Sequence, residues 1–139
     1  PIIIVTNQQG ISKGKMTEEQ LTEIHSYMKE KILKAGGEIH AIYHCPHLRS
    51  SGSTCRKPRP GMALRARRDF PELNFKHSVM VGDMISDMVF GHNLKMITVL
   101  IGNEEFARKY PRLIDYRFNS LIEFSNFLSA TIMNHQSEI

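Results

Sequence analysis

Apolar positions along this chain fall into two spacings that alternate from one end to the other. Ile2 to Val5 is an unbroken β-branched run, the pattern of a strand covered on both faces as in a parallel sheet. Thr6 to Lys15 is polar, holds Gly10 and Gly14, and reads as a loop. Thr17 and Gln20 form a capping-box pair that opens a helix, with Leu21, Ile24, Met28 and Ile32 as its apolar stripe and Gly36-Gly37 as its end. Ile39 to Tyr43 is a second short strand, followed by a loop rich in Cys, His, Ser and Pro to about Pro60. Pro60 suits the first turn of a helix carrying Met62, Leu64 and Ala66.

The same alternation continues. Ser78 to Val81 predicts a third strand with Gly82-Asp83 at its exit, Ile85 to His92 a short helix, and Met96 to Leu100 a fourth strand. A loop, a short strand near Tyr116 to Phe118 and an amphipathic helix from Ser120 to Ile132 complete the pattern. Strand and helix in strict turn predict an α/β chain with a parallel sheet flanked by helices.

Composition narrows this little. A chain of 139 residues, 41% hydrophobic and 23% charged, suits one domain with one packed core. No apolar run approaches the roughly 20 residues of a membrane span. The opening PIIIV lacks the flanks of a signal peptide. Cys45 and Cys55 lie near histidines without a disulfide-framework pattern, so a reducing cytoplasm is the expected location. The chain starts at Pro1 and enters an apolar run at once, which reads as a fragment or a processed chain. Six cations crowd between Arg56 and Arg68, but aromatics are only 8% and Trp is absent. Stacking on bases therefore has little to work with, and a small anion is the better partner than nucleic acid.

Ligands of open parallel sheets bind beyond the carboxyl ends of the strands. Thr6-Asn7-Gln8-Gln9-Gly10 follow the first strand here. His44-Cys45-Pro46-His47, and later Cys55-Arg56-Lys57-Pro58, follow the second, and Gly82-Asp83 with Asp87 follow the third. Hydroxyl and amide donors, adjacent cations and two carboxylates are the groups that hold a phosphate and a divalent metal.

These runs, in this order, resemble the haloacid dehalogenase-like phosphatases, in the branch that holds the heptose-bisphosphate and histidinol-phosphate phosphatases. Val5 to Gly14 is similar to that branch's second signature. Cys45-Pro46-His47 with Cys55 to Met62 is similar to its zinc loop and third signature, and Met80 to Asp87 to its fourth. The Gly-Ile-x-x-Gly stretch and Arg-Lys-Pro-x-Pro-Gly-Met favour the heptose side, with a histidinol-phosphate type as the alternative.

The resemblance implies a Rossmann-like three-layer α/β/α fold without a large cap, and magnesium-dependent hydrolysis of a sugar phosphate by way of an aspartyl-phosphate. The substrate it implies is D-glycero-D-manno-heptose 1,7-bisphosphate, in cell-envelope lipopolysaccharide synthesis. Thr6 and Asn7 would hold the transferring phosphoryl group and Lys57 would stabilise its charge. Asp83 would bind Mg²⁺ with Asp87 in support. Arg56, Gln8 and Gln9 would meet the sugar or its second phosphate. A monomer acting on a small phosphorylated sugar is expected, with neither nucleic acid nor membrane as partner.

Three departures stand out. The family's Asp-x-Asp signature lies on a central strand upstream of Ile2, and Asp69, Asp83, Asp87 and Asp115 form no such pair, so this chain alone is expected to be inactive. The alternative is an inactive relative that keeps a sugar-phosphate pocket. Zinc is the second departure: Cys45, His47 and Cys55 match three of four ligands, but Ser53 stands at the fourth. The third is Met84, where the family commonly carries a lysine.

Overall fold

The structure, a computed structural model, describes residues 1–136. Contacts within the chain gather into two compact units, Pro1–Asn74 and Phe75–Ile139. All strand pairs are parallel, and the fold is α/β of the Rossmann-like kind expected from the alternation.

In the first unit, β1 (Ile3–Asn7) pairs with β2 (Ala41–Cys45), joined by α1 (Glu18–Lys34). β1 runs two residues further than its β-branched run, so Thr6 and Asn7 belong to the strand rather than to the loop. The reason is pairing: Thr6 aligns with His44 and Asn7 with Cys45, which keeps both in extended backbone. The capping box at α1 forms as expected, Gln20 N–H donating to Thr17 Oγ1 at 3.1 Å and Thr17 N–H to Gln20 Oε1 at 2.9 Å. Its stripe is only partly covered, since Leu21 is buried while Ile24 is 54% exposed. The core of this unit is Tyr43 and Cys45 of β2 against Met62 and Ala66 of α2 (Gly61–Asp69).

In the second unit the strand order is β3 (Val79–Gly82), β4 (Ile97–Ile101), β5 (Tyr116–Phe118). α3 (Ile85–Asn93) approaches β3 and β4 at Gly91, where an added Cβ would lie 2.7 Å from Met80 Cβ and 2.9 Å from Thr98 Cγ2. Nothing larger than glycine lets helix and strands meet that closely. A short helix, α4 (Glu104–Lys109), occupies what the sequence reads as loop. Asn103 caps it, its Oδ1 accepting the Phe106 N–H at 3.2 Å. α5 (Leu121–Gln136) follows β5.

β1 stands at one edge of its sheet and β3 at one edge of the other, each with a neighbour on one side among the described residues.

Candidate active site

The carboxyl end of β1 is held by the loop that follows β2. Gln8 N–H donates to the Cys45 carbonyl at 2.8 Å, tying the two strand ends together. Asn7 reaches across 50 residues to Lys57, accepting its N–H at Oδ1 (3.0 Å) and donating from Nδ2 to its carbonyl (3.2 Å). The Lys57 ammonium donates to the Val5 carbonyl at 2.7 Å. Lys57 is thereby fixed at both backbone and tip against the last residues of β1. The Lys57–Pro58 peptide bond is cis.

Thr6 Oγ1 accepts from Gln8 Nε2 at 3.0 Å, which leaves the Thr6 hydroxyl hydrogen without an acceptor among the described residues. Arg56 donates from Nη1 to the His47 carbonyl at 3.2 Å, bracing the loop that carries Lys57. Thr6, Asn7, Gln8 and Lys57 are thus brought together as the sequence suggests. Asn7 differs in one respect: its amide is engaged with the main chain of Lys57, so what it visibly does is position the lysine.

In the second unit, Asp83 follows β3 directly and is exposed, its carboxylate without a hydrogen-bond or ion-pair partner among the described residues. Asp87 is buried at 5% exposure, and its Oδ2 accepts the Met84 N–H at 3.1 Å, capping the first turn of α3. Gly82 makes room for that carboxylate: a Cβ there would sit 2.4 Å from Asp87 Oδ2. A bare carboxylate at the carboxyl end of a parallel strand is the hard oxygen donor that Mg²⁺ prefers, so Asp83 suits the ion. Asp87 supports that end of the strand by fixing the turn from Gly82 to Ile85.

The reading of the two cysteines as unpaired requires correction. Cys45 and Cys55 are joined in a disulfide, with their Cα atoms 5.6 Å apart. Side-chain donor atoms of Cys45, His47 and Cys55 all lie within 4.8 Å of one another, as the expected ligand set requires. Sulfurs bonded to each other are not thiolates, however, and only His47 keeps its donor capacity. The residues in this state do not fit zinc. Ser53 fills the centre of the cluster, its Oγ 2.6 Å from His47 Nδ1 and 3.1 Å from Cys55 Sγ. The pairing also removes the argument from cysteines to a reducing compartment. Among the described residues, no helix is long and apolar enough to cross a membrane.

Two polar pairs escaped sequence reasoning. Tyr43 Oη donates to Asp69 Oδ2 at 2.9 Å, and this hydrogen bond, followed by the Arg68 guanidinium, holds the Asp69 carboxyl below its usual range. Burial, and then the same carboxylate, push the Tyr43 hydroxyl up. On the other unit, Thr98 donates to Asp115 Oδ2 from N (2.8 Å) and from Oγ1 (3.0 Å), locking β4 to the segment before β5. Neither pair has a sequence signal, because each joins residues whose spacing is set by tertiary structure.

The HAD-hydrolase-like family model matches residues 54–123, half of the chain. The chain belongs to this family. Among its relatives is the D-glycero-alpha-D-manno-heptose-1,7-bisphosphate 7-phosphatase of Campylobacter jejuni, 39% identical over 117 residues, covering 81% of this chain and 66% of the relative. Another of that name, from Mycobacterium bovis, is 35% identical over 125 residues, covering 89% and 66%. The solved D,D-heptose 1,7-bisphosphate phosphatase of B. bronchiseptica, complexed with magnesium and phosphate, superposes with a TM-score of 0.80 at 25% identity. That match covers 93% of this chain and 74% of the solved one. This HAD-like chain spans just under two thirds of the length of the two curated relatives.

Proposed function

We propose that this chain forms most of a magnesium-dependent phosphatase acting on a sugar bisphosphate, D-glycero-D-manno-heptose 1,7-bisphosphate, with attack by an aspartate upstream of residue 1. The observation that carries the reading is the Asn7–Lys57–Val5 clamp beside Thr6. A lysine fixed at backbone and tip presents positive charge in one place before substrate arrives, which is how an enzyme stabilises charge that develops on a phosphoryl group. The free hydroxyl hydrogen of Thr6 donates to a phosphoryl oxygen. Asp83 holds Mg²⁺, which when bound neutralises phosphate charge. Arg56 and Gln9 orient the sugar portion. The heptose assignment is supported by the names of the relatives and by the phosphate and magnesium in the solved neighbour.

The test is phosphate release from the heptose bisphosphate by the full gene product, with and without a magnesium chelator. Release that stops on chelation and returns with added Mg²⁺ is the expected result. Turnover indifferent to chelation contradicts the metal role of Asp83, and no release from any sugar phosphate contradicts the reading as a whole.

A further inference from the structure

Cys45 ends β2 and Cys55 stands two residues before Lys57, so the disulfide between them ties the sheet to the segment that carries the lysine. A closed ring results. Asn7 aligns with Cys45 across the parallel ladder, and Gln8 N–H fixes the Cys45 carbonyl at 2.8 Å. Cys45 is bonded to Cys55, the chain leads on to Lys57, and the Asn7 carboxamide holds the Lys57 main chain in return. The sulfur bond is the covalent closure of that ring, and a cross-link restricts the open states of the loop it closes. Hydrogen bonds accompany it, Arg56 Nη1 to the His47 carbonyl at 3.2 Å and Cys55 N–H to Ser53 Oγ at 3.3 Å. Both of these end on the intervening loop rather than on β2.

The two sulfurs differ in access. Cys45 is fully buried against Tyr43, Met62 and Ala66. Cys55 is half-buried, and the loop before it is exposed at Ser51, Gly52 and Thr54. His47, also exposed, brings Nδ1 to 3.6 Å from Cys55 Sγ. A reagent in solution therefore meets Cys55 and not Cys45. Disulfides reached from solvent are the ones open to exchange with other thiols.

We propose that Cys45 and Cys55 form a reversible redox modification site, whose reaction partner is a dithiol and whose state sets how firmly Lys57 is held. A thiolate of the dithiol attacks Cys55 Sγ, the bond between the two cysteine sulfurs breaks, and Cys45 leaves with the electron pair and takes a proton. The second thiol of the reagent then displaces Cys55 from the mixed disulfide, and Cys55 takes a proton in turn. Two electrons have passed to the protein, and the reagent departs as its own disulfide. Reoxidation by a disulfide runs the same exchanges backwards. In the linked state the ring is closed and Lys57 is fixed; in the dithiol state the segment before it is released from β2. The effect on turnover rests on the proposed phosphatase reading, whereas the redox chemistry does not.

The test equilibrates the full gene product, in zinc-free buffer, with mixtures of reduced and oxidised dithiothreitol. Alkylation and mass spectrometry should show Cys45 and Cys55 converting together and reversibly between linked and alkylated forms. The NMR signals of the Asn7 and Lys57 amides should shift with them, while those of β3 to β5 hold still. Thiols that stay free at every ratio, a link that survives every ratio, or Asn7 and Lys57 signals indifferent to the state would each overturn the site. Turnover of heptose 1,7-bisphosphate is then compared in the two states. Reduction is expected to lower kcat about tenfold by loosening Lys57, with recovery on reoxidation. The double variant Cys45→Ser with Cys55→Ser should run at the reduced rate in either buffer. Equal rates in both states of the native protein, or a double variant that still responds to reductant, overturn the switch. If the variant fails to fold, the native comparison decides alone. Reversible linkage with coupled Asn7 and Lys57 shifts, in a protein that hydrolyses no sugar phosphate, keeps the redox site and removes the proposed function.

Discussion

Asn7 grips Lys57 with both ends of its carboxamide, one accepting from the lysine N–H and the other donating to its carbonyl. The relationship explains how a residue in an irregular loop is held as firmly as one in a sheet. Asn7 sits in β1, aligned with Cys45 of β2, so its own backbone is fixed by the ladder. The lysine inherits that rigidity through two hydrogen bonds and adds a third from its ammonium to Val5.

Replacing Asn7 by Ala leaves the Lys57 amide and carbonyl without these partners in a half-buried place. The expected loss of stability is about 1–3 kcal/mol, read as a lower urea midpoint. Turnover of the full gene product should fall roughly 10- to 100-fold through loss of positioning. A variant with native midpoint and native kcat would show that the clamp is idle.

Gly82→Ala tests the turn between β3 and Asp83. The new Cβ would lie 2.4 Å from Asp87 Oδ2 and 2.5 Å from Asp87 Cβ, with no flexible tip to yield. A loss of about 1–3 kcal/mol is expected from overpacking, measurable by chemical denaturation. Unchanged stability would mean that Asp87 is not held where the structure places it.

How much of this was legible beforehand varies with the range of the interaction. Periodicity located each strand and long helix within a few residues, because burial of an apolar face is a local property of the sequence. The capping box at Thr17 and Gln20 was equally plain, being complete within four positions. Thr6 and Asn7 read as loop because polarity outweighed strand propensity, and the parallel ladder overrode it. α4 was missed because its six residues carry little apolar pattern. At the site, the chemistry of Lys57 and Asp83 could be guessed from neighbouring motifs. The use of Asn7 as a clamp, the Tyr43–Asp69 bond and the Cys45–Cys55 bond could not, since each depends on how distant segments meet.

Ser53→Cys should convert the loop after β2 into a metal site once the disulfide is reduced. Ser53 Oγ already lies within 3.8 Å of Cys45 Sγ and closer to His47 and Cys55. A thiolate there completes a Cys₃His set of the kind structural zinc takes. Zinc titration of the reduced variant should give one ion per chain, held at least about tenfold more tightly than by the reduced native protein. Equal affinities would mean that position 53 is not at the centre of the cluster.

The Tyr43–Asp69 bond sets a pH dependence. Asp69 titrates below its usual range in the folded chain, so its contribution is present above the unfolded value and fades as pH falls through the folded one. In Tyr43→Phe the largest cause of the shift is gone, and the Asp69 titration followed by NMR should move up toward the ordinary carboxylate range. Stability of the variant should then depend less on pH through the acid range than that of the native chain. An Asp69 titration that stays where it was would assign the shift to Arg68 instead.

The most direct test of the proposed chemistry is a double-mutant cycle on turnover of heptose 1,7-bisphosphate by the full gene product, using Thr6→Val and Lys57→Ala. If hydroxyl and ammonium serve one phosphoryl group, each change alone should lower kcat about tenfold or more, and the double variant should be little worse than the poorer single one. Near-native rates in either single variant, or losses that multiply in full, would contradict a shared role for the two residues.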